Sequence, residues 1–116
     1  MAVVAQSPHL PAVVVALPAE IDMATAAWVG QQLGSVVEPG VKTVIADMTA
    51  TTFCDSSGIG MLVRAHKQAA NGTEVRLVAP SPVVLRSLAL ASIDHLLLIY
   101  PSLSMALAAG PRPRHE

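Results

Sequence analysis

Charge is scarce in this sequence. Asp, Glu, Lys and Arg make up 13% of its residues, against roughly 25% in an average soluble domain. The net charge is −1, so no field of one sign exists to gather nucleic acid. Aromatic residues amount to 3% while 53% of the chain is apolar, so the core must be aliphatic, made of Ala, Val and Leu. Cys54 is the single cysteine; this excludes an internal disulfide and suits a reducing compartment. The chain has no basic start followed by an apolar stretch, and hence no sign of a secretory leader. No uncharged apolar run reaches the ~18 residues of a membrane span. The nearest, around Leu88 to Leu98, is broken by Asp94 and His95. These absences point to a cytoplasmic domain without membrane insertion and without a nucleic-acid partner.

What is present is a regular alternation. Ala2 to Ala5 reads as an edge strand, Gln6 to Pro11 as a turn, and the β-branched run Ala12 to Leu17 as a buried strand. Asp22 is the expected N-cap of a first helix with Ala26, Val29, Leu33, Val36 and Val37 on its apolar face, Trp28 covering its edge and Pro39-Gly40 ending it. Val41 to Asp47 is a second buried strand. A helix over Ser57 to Ala70 follows, with Met61, Arg64, Lys67 and Gln68 outward, His66 on the apolar face, and Asn71-Gly72 as its stop. Glu74 to Ala79 is a strand, and Ser81-Pro82 starts a helix with Pro at its first position. Leu96 to Tyr100 is a short strand and Ser102 to Ala109 a last helix. The order predicts an α/β fold: a mixed, mostly parallel sheet of four or five strands covered by about four helices. Residues 1–110 form one domain, and 111–116 a polar, disordered tail.

Several chemistries fail on spacing. A hydrolase elbow needs Gly two places either side of its Ser; Ser56 has Cys54 before it, and Ser57 has Asp55 before and Ile59 after. A phosphatase loop opened by Cys54 would place its Arg where Gly60 stands, and nothing cationic in the loop lowers the thiol pKa. Val63 occupies the third glycine of a dinucleotide fingerprint, and no Gly-Lys-Ser/Thr phosphate loop is present. His9, His66, His95 and His115 have no metal-ligand spacing. Asp47 reads as a strand-end residue, whereas Asp22 and Asp55 flank loops at the carboxyl ends of strands, where such sheets carry their sites. Neither a cofactor nor an enzymatic activity is expected.

The stretch that remains is Asp55-Ser56-Ser57-Gly58-Ile59-Gly60, two hydroxyls on a strand-to-helix connection. Ser is a good N-cap. The unpaired N–H groups of a first turn favour an anion, so a phosphate would be welcomed by the backbone. Gly58 and Gly60 leave room for another molecule to approach that backbone.

Asp47 followed by Thr51-Thr52-Phe53-Cys54-Asp55-Ser56-Ser57-Gly58-Ile59-Gly60-Met61-Leu62-Val63 resembles the signature of STAS domains, specifically the bacterial anti-sigma factor antagonists. Leu17-Pro18-Ala19-Glu20-Ile21-Asp22 resembles the family's segment before the first helix, with Ala19 where Gly is usual. Glu74 to Val78 and Ser81-Pro82-Val83-Val84 fit its later strand and helix. The resemblance spans roughly residues 12–109. It implies that an anti-sigma factor serine kinase phosphorylates Ser56, that the unmodified protein binds this kinase and frees a sigma factor, and that a phosphoserine phosphatase resets the cycle. It implies a partner-binding surface of Asp22, Asp55, Ser56, Ser57, Gly58, Ile59, Gly60 and Met61. Two alternatives stay open: a STAS docking subunit of a lipid or anion transport complex, and a sensor of a small ligand or nucleotide. Whether the chain forms a homodimer is also open.

Overall fold

The computed structural model describes residues 2–6, 11–37, 40–69 and 72–110. In chain order the elements are β1 (Ala2–Gln6), β2 (Pro11–Ala16), β3 (Glu20–Ile21), α1 (Ala26–Ser35), β4 (Thr43–Asp47), β5 (Phe53–Cys54), α2 (Ser56–Gln68), β6 (Glu74–Val78), α3 (Pro82–Leu90), β7 (Leu98–Tyr100) and α4 (Leu103–Ala108). The main sheet has the order β1-β2-β4-β6-β7. β1 lies antiparallel at its edge, and the other neighbours pair in parallel. The mixed, mostly parallel α/β architecture expected from the strand–helix alternation is therefore present.

The β-branched runs explain the sheet. Strands covered on both faces read as continuous apolar segments, and Val13-Val14-Val15 and Val44-Ile45-Ala46 are buried throughout. On one face Val13, Val15, Val44, Ala46, Val75 and Leu77 share a core with Val29 and Leu33 of α1, Leu62 of α2, and Val84 and Leu88 of α3. On the other face Val14, Ile45 and Val78 meet Ala106 of α4, with Leu103 and Leu107 beside it. Three successive parallel crossovers thus put α1, α2 and α3 on one side, as a uniform crossover hand requires, and α4 returns beneath.

Arg76 holds α4 in place. It is 1% exposed, in the middle of β6. Its Nη1 donates to the carbonyls of Ala106 (2.5 Å) and Ala109 (2.9 Å), its Nη2 to Gly110 (2.9 Å), and its Nε to Glu74 Oε2 (2.5 Å). The Tyr100 ring lies 5.7 Å away, under the guanidinium. A cation at a helix C-terminus answers the partial negative charge of its free carbonyls, and the Glu74 carboxylate offsets the cost of burying it.

Boundaries shift from those expected. α1 begins at Ala26 rather than after Asp22, with Thr25 in the cap position, and ends at Ser35, so Val36 and Val37 lie beyond it. Trp28 is half exposed and does not seal the helix edge. Met61, expected outward, is buried: Gly30 of α1 leaves a notch, and a Cβ there would stand 3.1 Å from Met61 Cγ. α2 closes at Gln68, and Gly72 takes the left-handed conformation (φ +95°) expected of it. His66 is half-buried rather than enclosed. The centre of the Gln6–Pro11 turn, Pro39, Asn71, His9, His115 and the tail Pro111–Glu116 lie outside the described residues. Among the described residues no helix is long and apolar enough to cross a membrane.

Candidate functional site

Two loops meet above the carboxyl ends of β2 and β4, and a small second sheet zips them together. β3 and β5 pair in parallel, Glu20 beside Phe53 and Ile21 beside Cys54. The amides of Thr52 and Phe53 donate to Ala19 O (2.8 and 3.3 Å), and that of Asp55 donates to Ile21 O (3.0 Å). The fully buried Thr51 donates its hydroxyl to Pro18 O at 2.8 Å. One step past the paired residues therefore stand Asp22 and Asp55; two steps past stand Met23 and Ser56. The structure brings the Asp22 loop beside the serine loop.

Asp55, not a serine, caps α2. Its Oδ1 accepts from the amides of Ser57 (2.9 Å) and Gly58 (3.2 Å), and its backbone is extended (φ −89°, ψ −172°). This satisfies two of the free donors of the first turn. Ser56 is the first helical residue and is exposed, while Ser57 is half-buried. The expected welcome of the backbone for a phosphate is thus taken up by Asp55, and a group on Ser56 Oγ would face solvent instead.

The two glycines serve different ends. Gly58 is buried, and a Cβ on it would come within 2.6 Å of Cys54 Sγ and 2.7 Å of Ile21 Cγ2. Its missing side chain lets α2 settle on the β3–β5 pair; it does not open the backbone to a visitor. At Gly60 a Cβ would lie 3.3 Å from Arg64 Nη1, so the Arg64 guanidinium rests over this residue. Ile59 is half-buried and packs against the core. Met61, buried under the α1–α2 contact, supports this surface from below.

Asp22 organises its own loop. Its Oδ1 accepts from the amides of Ala24 (2.9 Å) and Thr25 (3.2 Å), and the Thr25 hydroxyl donates to Glu20 O (3.1 Å). Asp47 is likewise local: its Oδ1 accepts from the amide of Thr49 at 3.0 Å and from the Thr49 hydroxyl. Cys54 is buried beneath the loop. Desolvation, followed by the nearby Asp55 carboxylate, raises its thiol pKa to about 11, which keeps it protonated at neutral pH and a poor nucleophile. Among the described residues, no three of His, Cys, Asp and Glu gather as a metal ion would need.

The sequence passed over two residues of this surface. Met23 is 82% exposed and Phe53 47% exposed. Phe53 is the only phenylalanine in the chain, and its place beside the serine loop was the available signal. Met23 gave none, since its exposure follows from the Asp22 turn.

A mostly parallel α/β sheet bearing an Asp-capped serine helix beside a second acidic loop defines a small domain of the STAS type. The model of the STAS domain family matches residues 2–106, and the chain belongs to that family. The anti-sigma-F factor antagonist RsfB of Mycobacterium tuberculosis is 26% identical over 99 residues, which cover 85% of this chain and 81% of that protein. The crystal structure of an anti-sigma factor antagonist from Mycobacterium paratuberculosis superposes with a TM-score of 0.79 at 29% identity, over 92% of this chain and 90% of the other. An anti-sigma-factor antagonist (STAS) domain protein from Planctomyces limnophilus shares the fold, with a TM-score of 0.73 at 20% identity over 91% and 93% of the two chains.

Proposed function

We infer that this protein is an anti-sigma factor antagonist of the cytoplasm, a regulator and not an enzyme. Unmodified, it binds an anti-sigma factor serine kinase and so frees a sigma factor. Phosphorylation of Ser56 by that kinase releases it, and a phosphoserine phosphatase restores it. The partner contacts the loop end of the molecule: Asp22, Asp55, Ser56, Ser57, Ile59 and Gly60, with Gly58 and Met61 holding that surface in shape. The names of the mycobacterial relatives support the class of function. The observation that carries the switch is the exposed Ser56 hydroxyl, released from capping by Asp55.

The energetics favour release without unfolding. A phosphoserine adds about −1.5 to −2 charges at pH 7. On an exposed first-turn residue the helix dipole favours it by ~0.3–1 kcal/mol, which repulsion from Asp55 offsets in part. The same anion enclosed and unpaired in a docked interface costs several kcal/mol, and each ~1.4 kcal/mol is tenfold in affinity. The interface effect is the larger. Incubation with the cognate kinase and labelled ATP tests the assignment: label is expected on Ser56 and absent from Ser56→Ala. Label retained by Ser56→Ala contradicts it.

A further inference from the structure

We propose that Met23 and Phe53 are paired apolar anchors, which seat in a cleft of the protein partner whose rim is cationic. The inference rests on the partner binding inferred above and adds what that partner must look like.

Both side chains are held in water by rigid backbone. Met23 sits at the tip of a turn pinned by Asp22 to the amides of Ala24 and Thr25. Phe53 lies on β5, alternating with the buried Cys54 and paired to Glu20 across the ribbon. Backbone already held by hydrogen bonds loses little further freedom when it docks. The cost left is that of fixing the side chains, small for the Phe53 ring and larger for the flexible Met23, and apolar burial in a cleft must exceed it. Met adapts to irregular clefts, and an aromatic ring contributes a large contact area. Phe53 stands in the ribbon three residues before Ser56, and Met23 stands two residues past Ile21 on the neighbouring strand, abreast of Ser56 in the register; a partner seated on both therefore reaches the serine loop.

Charge identifies the occupant. The loops at the carboxyl ends of the parallel strands, residues 17–25, 48–55, 79–81 and 101–102, carry Glu20, Asp22 and Asp55 and contain no Lys, Arg or His; Asp47 closes β4 at the same end. Lys42 precedes β4, at the opposite end of the sheet. Arg64 and Lys67 lie in the lower turns of α2, the Arg64 guanidinium reaching up as far as Gly60. Arg86, exposed, lies one turn into α3, so the acidic charge belongs to the loops themselves, which are acidic and apolar at once. Their complement is an apolar cleft edged by Arg or Lys, which steers approach and excludes acidic competitors. Cations on that rim are already matched by the resident carboxylates, so a phosphate on Ser56 arrives in surplus.

The test is calorimetric titration with each purified anti-sigma factor kinase encoded in the same genome. The unmodified chain is expected to bind one of them. Met23→Ala and Phe53→Ala should each weaken that binding about tenfold or more, with melting temperatures close to that of the unmodified chain. Leu90→Ala, at a 79% exposed apolar residue on α3, should change it less than about twofold. Raising salt should weaken the affinity that the titration reads. If both anchor variants bind like the unmodified chain while Ser56→Asp is released, the anchors are refuted and the switch stands. If no kinase binds the unmodified chain, the partner assignment falls and the anchors with it. An affinity that salt leaves unchanged or strengthens refutes the cationic rim.

Discussion

Three helices in this protein begin next to a serine, and the serines do different work. At α3, Ser81 is the cap: its Oγ accepts from the amide of Val84 at 3.5 Å, with Pro82 at the first helical position. At α4, Ser102 does the same for the amide of Met105 at 3.2 Å. At α2, Asp55 has taken over the capping, and Ser56 stands one position further on with its hydroxyl in solvent. A hydroxyl that caps a helix is part of the fold, and modifying it removes an acceptor the helix needs. Ser56 has been relieved of that duty. The comparison teaches that whether a serine at a helix start is bound into the cap or left free is decided by the residue before it.

The α2 start can be broken hardest at Gly58. A Val there must displace Ile21 and Cys54, and Gly58→Val is expected to destabilise by about 3 kcal/mol through overpacking. Chemical denaturation should show an earlier midpoint at unchanged slope. At the corresponding third position of α3 stands the buried Val84, so a β-branched side chain is tolerated at one helix start and excluded at the other.

A smaller effect sharpens the comparison of the serines. Loss of a cap costs ~0.5–2 kcal/mol, so Asp55→Ala and Ser81→Ala should each lower stability by about 1 kcal/mol. Ser56→Ala should stay within about 0.5 kcal/mol of the unmodified chain, as surface changes do. Parallel denaturation curves of the three variants check this; a Ser56→Ala loss equal to that of Ser81→Ala would erase the distinction between the two helix starts.

The sheet and its helices were legible because continuous β-branched runs and helical apolar spacing are strong local signals. Ser81-Pro82 marked a helix start that the structure repeats. The β3–β5 ribbon was not legible, since two-residue strands such as Glu20-Ile21 and Phe53-Cys54 have no period to detect, yet this ribbon is what brings Asp22 to Asp55. Met61 falls outward by helical spacing and is drawn inward by the notch at Gly30, a property of the neighbouring helix. The burial of Arg76 has no local sequence signal, because it depends on α4 returning beneath the sheet to receive the guanidinium. At the site itself, the serines and acidic residues stood out by position. The division of labour between Asp55 and Ser56 depends on which oxygen meets the amides of Ser57 and Gly58, and either residue type is able to fill that place.

The most direct measurement is the thermal unfolding of the protein phosphorylated at Ser56 beside that of the unmodified chain. With Asp55 keeping the cap, the account predicts a difference below about 1 kcal/mol, or roughly 5 °C in melting temperature. A fall of 10 °C or more would mean that the hydroxyl of Ser56 is needed by the fold, and would contradict it.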